Sequence, residues 1–453
     1  MTRTENIAKF VKNINYDNLP EDVKKAGKII ILDTLGCVIG TTVEDPWKAE
    51  TAWKIARSCG GNEEATVLVA GDKLPAMWAG FANGVLAHGI DFDDTHKAAL
   101  THTGAPVVST ALAAAEAVKA NGKELIAAVI AGYEVSVRVG MCVMPSHYKY
   151  WHSTATNCTF GGAALTAKLY GCDEEGIINA LGLAGAQAAG LLTYLEFGDF
   201  SKSFNPGKTA FNGILAGTAA KLGATAPPTM LEHEKGYSYA YCSDGPKIEK
   251  LDEKLGEFYE IIGNVPKAWP SLTASHPPIE AIRKLLAANS LSAGDIKKIT
   301  NRTYNTVKSH FSNYNPTTTM AARLSVPYCI AATAARGNAD LPAFTMEVIN
   351  SKEVRDMLTK VEIIADDELN KLYPEKFPAI VTIETNDGRI YTQEAYYPKG
   401  DLMNPFTDEE YIEKFMGLAI PALGEAKAKA IVQACENLDT IKDSREFAAL
   451  FVK

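Results

Sequence analysis

Residues 83–104, NGVLAHGIDFDDTHKAALTHTG, hold three histidines (His88, His96, His102) and three aspartates (Asp91, Asp93, Asp94). The whole chain of 453 residues has eight histidines, so groups that titrate or bind ligands near neutral pH are concentrated here. An apolar helical stripe (Phe81, Val85, Leu86, Ile90) leads into the stretch, and the pattern breaks at Thr101-His102-Thr103-Gly104. A polar cluster closing a buried helix is a place for chemistry, and three kinds come into question.

The first is metal binding. His88, Asp91, Asp93, Asp94 and His96 make a donor set for a hard or borderline cation. The stretch lacks the glycine and terminal glutamate of a calcium loop, and the chain has no HExxH. Ala98 stands at the fourth position after Asp94, unlike the DDxxD arrangement that holds magnesium pyrophosphate. Taken singly, His88 reads equally well as a core histidine and Asp94 as a turn cap. The second is phosphate binding by Pro206-Gly207-Lys208-Thr209. It fails, because Lys202 stands where GxxxxGKT needs its first glycine and no strand precedes it.

The third is acid–base work on a carboxylate. A chain of net charge −9 needs a local nest of cations to hold an anion. Lys202 and Lys208 in GDFSKSFNPGK, Lys267 in VPKAWP and Arg323 in AARLSVPY sit beside glycine, proline or aromatic turns. The segment HYKYWH (147–152) and Pro327-Tyr328 add polar aromatics. Proton abstraction next to a carboxylate needs a base, an acid for any leaving hydroxyl, and donors for the enolate-like charge. Histidine, tyrosine and lysine supply all three.

These residues must be positioned by a large fold. The chain is 47% hydrophobic and 22% charged, which is ordinary for a soluble globular protein. Its acidic balance and scattered basic residues exclude nucleic acid as the main partner. The eight cysteines form no CxxC pair and read as reduced core residues. The N-terminus, MTRTENIAKFVKN, lacks the apolar core of a signal peptide, and the apolar run 125–144 is interrupted by Glu134 and Arg138. A buried helix, no membrane contact and a cytoplasmic location are the expectation.

The periodicities predict helices over 4–14, 20–42, 45–59, 76–95, 105–119, 123–143, 154–170, 174–194 and 208–222. Strand patterns appear over 295–307, 360–366 and 379–397, the last a hairpin around Asn386-Asp387-Gly388. Helices are predicted over 319–335 and 345–359, and again from Thr407 onward. The reading is a mostly α protein: an all-helical domain from 1–264 and 405–453, and an α+β lid domain over 265–404.

The blocks ILDTLGC (31–37), NGVLAHGIDFDDTH (83–96), WHSTATNCTFGGAA (151–164), SKSFNPGKTAFNG (201–213), ARLSVPYCIA (322–331) and YPKGDLMNPFTDEEYIEKF (397–415) resemble the MmgE/PrpD family, in family order. That family includes a dehydratase of 2-methylcitrate, a decarboxylase of cis-aconitate and an epimerase of iminodisuccinate. The resemblance implies the same two-domain fold, a homodimer, and no metal or other cofactor. Residue by residue it implies a site of Asp91, Thr95, His102, His152, Lys202, Lys267 and Tyr328. Three departures touch that site. The loop from Thr95 to His102 leaves His96 and His102 as rivals for one place, with His102 favoured. Asn205 stands where many relatives have a histidine. Ser271-Leu272 replaces a double cysteine, while His276-Pro277 is kept.

The function implied is a cofactor-independent lyase for a small di- or tricarboxylate, acting by dehydration or decarboxylation. Lys202, Lys208, Lys267 and His276 hold carboxylates, His102 and His152 move protons, Asp91 and Thr95 orient them, and Tyr328 is a donor or acid. An epimerase using Lys202 with Tyr148 or Tyr150 is the alternative. A helical binding protein with a dead site is a third reading, which the retained His102, His152, Lys202 and Tyr328 oppose. His88, Asp93 and Asp94 fall to capping and bracing the turn.

Overall fold

A computed structural model describes residues 1–453, which fold as two compact units. The first comprises Met1–Leu192, Phe200–Asn264 and Thr407–Lys453, and the second Thr193–Asp199 and Val265–Phe406. The first is helical apart from very short strand pairs and the second is α+β, so the chain is mostly α with a small sheet region, as its periodicities predict.

Helices Glu21–Glu44, Gly104–Val118, Gly122–Val143 and Ser153–Leu169 supply much of the first unit's core. Glu21–Glu44 and Gly122–Val143 are long and apolar enough to cross a membrane, yet 72% and 94% of their apolar windows are buried inside the protein. Capping boxes fix two helix starts, Asn121 with Glu124 and Thr407 with Glu410.

Two departures from the predicted helices shape the site. The helix predicted over 76–95 stops at Ala87, and His88 is its C-cap. Asp91 has φ +54°, a left-handed conformation that an aspartate tolerates and a continuing helix does not. Residues 88–103 therefore form an irregular segment. The helix predicted from 208 begins instead at Ser201 and runs to Lys221, with Pro206 inside it. Proline lacks the N–H that would bond the Lys202 carbonyl, but near a helix start that cost is local. Lys202 and Lys208 thus lie on one helix, not in a turn. The helix predicted over 174–194 likewise ends at Gly185.

In the second unit, four strands lie in the order Val361–Ala365, Ile296–Thr303, Ala379–Thr385, Ile390–Ala395. The first pair is parallel (Ile299 opposite Val361) and the others antiparallel (Thr300 opposite Thr382, Thr382 opposite Thr392). The hairpin turns where Gly388 takes φ +87°. The helix predicted over 319–335 is broken into Thr319–Arg323 and Val326–Arg336 by a new start, where Ser325 accepts from the Tyr328 N–H at 3.1 Å and Pro327 occupies the first turn. The stretch 345–359 is divided the same way, into Met346–Ile349 and Lys352–Leu358.

Candidate active site

Helices Ala76–Ala87 and Ser201–Lys221 pack backbone against backbone. A Cβ on Gly84 would lie 2.9 Å from the Pro206 carbonyl oxygen, and one on Gly207 would lie 2.6 Å from that of Phe81. Glycine alone fits at such a crossing. The approach sets His88, at the end of one helix, against the first turn of the other, and Ser203 Oγ lies 3.3 Å from the His88 carbonyl oxygen.

There a buried chain of four side chains forms. His88 Nδ1 lies 2.8 Å from both carboxylate oxygens of Asp93. His88 Nε2 lies 2.7 Å from Lys202 Nζ, which lies 2.7 Å from Asp91 Oδ1. None of the four is more than 3% exposed. Carboxylates only accept, so His88 donates from Nδ1 and its Nε2 lone pair accepts from the Lys202 ammonium. The same hydrogen bond has a second proton position, with the charge on His88 and Lys202 a neutral amine.

His102 joins this chain at one edge. Its ring meets that of His88 edge-on at 4.6 Å, and its Nδ1 lies 3.0 Å from the Asp94 carbonyl oxygen and 3.7 Å from Asp93 Oδ2. Donation to that carbonyl leaves Nε2 as the basic nitrogen of the neutral ring. The His102 side chain is 17% exposed, the most open group of the cluster. Its loop is held at both ends: His96 and Thr101 bridge through a main-chain hydrogen bond of 2.8 Å, and the His102 N–H donates to Thr154 Oγ1 at 2.9 Å. Ser153 donates to the Leu100 carbonyl. The start of helix Ser153–Leu169 therefore positions both His102 and His152, its N-cap. The His152 ring lies 6.0 Å from that of His88.

Asp94 braces the segment. It accepts from the Gly104 N–H at 2.9 Å and from the Tyr133 hydroxyl. Burial, then the charge of Asp93, pushes its pKa up to about 8. Beneath the segment, Lys414 pairs with Asp33 at 2.6 Å and donates to the Phe92 carbonyl at 2.7 Å.

Of the two rival histidines, the structure brings His102 into the cluster. His96 faces Glu260 at 3.7 Å, and burial lowers its pKa to about 4. Thr95 is buried in the short strand beside it. Lys208 lies further along the Lys202 helix and donates to the Ala189 carbonyl, and burial lowers its pKa to about 8. Tyr150, a partner in the epimerase alternative, is exposed with Lys149 over its ring.

Lys267, His276 and Tyr328 belong to the second unit. Lys267 is fully buried. His276 opens helix His276–Asn289, with Nε2 3.3 Å from the Ser271 carbonyl and its ring edge-on to Trp269. The expectation of Tyr328 as a proton donor meets a buried hydroxyl that donates to the Ala343 carbonyl, and burial raises its pKa.

The residues that sequence reasoning undervalued are His88 and Asp93, assigned to bracing yet forming the centre of the chain. Their signal was there: a histidine ends an apolar helix, and an aspartate follows across a glycine break. The Lys414–Asp33 pair had none, since its members lie at opposite ends of the chain. One donor set can hold a metal: His88, Asp91, Asp93 and His102 each offer a ligand atom, all within 4.8 Å of one another. The Lys202 ammonium already meets two of the four, His88 and Asp91.

Residues 5–250 match the MmgE/PrpD N-terminal domain and residues 269–440 the MmgE/PrpD C-terminal domain. Cis-aconitate decarboxylase of Aspergillus terreus is 27% identical over 464 aligned residues, covering 97% of this chain and 94% of the relative. The cis-aconitate decarboxylases of Homo sapiens and Mus musculus are 29% and 26% identical, covering 97% of this chain and 92% and 91% of their own. These matches support a lyase at the level of the family. With both family domains matched in order along nearly its whole length, the chain belongs to the MmgE/PrpD family.

Proposed function

We propose that this protein is a lyase for a small di- or tricarboxylate and handles protons with its own side chains. The observation that carries the reading is the buried Asp93–His88–Lys202–Asp91 chain. Removing water or carbon dioxide next to a carboxylate requires one group to hold the anion and one to take or give a proton at carbon. Lys202 as ammonium does the first. With its proton passed to His88 and the charge balanced by Asp93, it becomes an amine that can do the second. His102, with Nε2 as its basic nitrogen, is the proposed partner base. In decarboxylation the carbon–carbon bond breaks to release carbon dioxide, and the electron pair left on carbon takes a proton from the site. In dehydration a base takes the carbon proton and an acid supplies one to the leaving hydroxyl.

Relatives named cis-aconitate decarboxylase, matched over nearly the full length, support the lyase reading, and decarboxylation of a cis-aconitate-like substrate and dehydration of a 2-methylcitrate-like one are its two forms. Incubation with cis-aconitate, 2-methylcitrate, citrate and iminodisuccinate in deuterated water tests this. Carbon dioxide release with deuterium at one carbon marks decarboxylation, and a new alkene marks dehydration. Deuterium uptake with inverted chirality and no other product marks epimerisation and overturns the lyase reading. So does the return of all four compounds unchanged.

A further inference from the structure

His152 caps helix Ser153–Leu169, and its main-chain N–H donates to the Gly190 carbonyl at 3.0 Å. Its ring Nδ1 lies 3.0 Å from the amide nitrogen Nδ2 of Asn205, on the helix that carries Lys202. Ring and amide are both buried. An amide NH2 donates and offers no lone pair, so Nδ1 must accept. The single proton of the neutral ring therefore sits on Nε2. Burial, the positive charge of the Lys202–His88 pair, that of Lys208, and the positive end of the helix dipole disfavour the imidazolium, while Asp91 favours it.

We propose that Asn205 is a positioning residue that holds His152 as a neutral, Nε2-protonated ring, which donates a hydrogen bond to an anionic oxygen of the substrate and takes no proton from carbon. The identity of that oxygen rests on the carboxylate-lyase reading, whereas the tautomer is a property of the free protein. A neutral donor suits this place. It stabilises charge on a carboxylate or enolate oxygen and holds its own proton, leaving proton movement to Lys202 and His102. One helix then supplies both the ammonium and the amide that aims the second donor.

The test is the ring nitrogen spectrum of 15N-histidine-labelled protein between pH 6 and 8, with His152 assigned by its loss in His152→Gln. Wild type is expected to show Nδ1 unprotonated and Nε2 protonated throughout. Asn205→Asp places a pure acceptor against Nδ1 and is expected to move the proton there or create the imidazolium. Nδ1–H or imidazolium in wild type overturns the proposal, as does an unchanged pattern in a folded Asn205→Asp. If that variant does not fold, the wild-type spectrum decides alone. The predicted spectrum in a protein that turns over no carboxylate would sink the lyase reading and leave the tautomer assignment standing.

Discussion

Lys202 Nζ lies 2.7 Å from His88 Nε2, across 114 residues of chain. Asp93 closes one end of this contact and Asp91 the other, so the pair lies between two buried carboxylates. A lysine held this way can be an ammonium toward a bound anion and an amine toward a carbon-bound proton.

Removing His88 tests that exchange. His88→Asn and His88→Ala are expected to lower kcat by about 10²- to 10⁴-fold, the usual worth of positioned acid–base groups. Near-UV circular dichroism checks that the fold persists. A folded His88→Ala with a rate within twofold of wild type removes the relay from the account.

Lys202→Ala takes the ammonium out of a set of four metal-competent side chains. The variant is expected to bind Co²⁺ with visible absorption from mixed nitrogen and oxygen ligation, while wild type does not. Equal cobalt binding by wild type shows that the ammonium does not occupy the position assigned to it. Wild-type activity is expected to survive EDTA, measured by initial rate.

Asp94 gives stability a pH slope of known sign. Its ordinary pKa of 3.8 rises to about 8 in the fold, so between those values the folded chain binds a proton that the unfolded chain has lost. Its contribution is full below about pH 4 and is lost as pH rises toward 8, at up to ~1.4 kcal/mol per pH unit. Asp94→Asn mimics the protonated group and is expected to remove this slope. Urea unfolding of both proteins from pH 5 to 9 measures it. Parallel curves would show that Asp94 ionises normally.

Gly207→Ala forces a Cβ to within 2.6 Å of the Phe81 carbonyl oxygen, and the helices must separate. A loss of about 1–3 kcal/mol is expected, with a fall in kcat because His88 and Lys202 move apart. Gly417→Ala is the control: its Cβ would meet nothing within 4 Å, and it lies in helix Asp408–Leu423. There the exchange is expected to stabilise by up to ~1 kcal/mol. Thermal melts and initial rates of the two variants decide.

Much of this fold was legible because local patterns dominate it. Asn121-Gly122 divided two alanine-rich helices, and Asn386-Asp387-Gly388 turned a hairpin whose alternate residues Val381 and Ile383 are buried. Legibility failed where local rules conflict with packing. Pro206 reads as a helix breaker, yet the Gly84–Gly207 crossing holds a helix through it. The apolar stripe through Ile90 predicts a longer helix than Asp91, at φ +54°, permits. At the site, residue types were readable and partners were not. His88 and Lys202 announce acid–base capacity separately, but only the folded helices bring their nitrogens within hydrogen-bond distance.

The most direct test is turnover of cis-aconitate and 2-methylcitrate by wild type beside Lys202→Ala, followed by carbon dioxide release and alkene formation. The account predicts that wild type consumes one of them and that Lys202→Ala is slower by about 10²-fold or more. Consumption of neither by wild type, or equal rates for the two proteins, contradicts it.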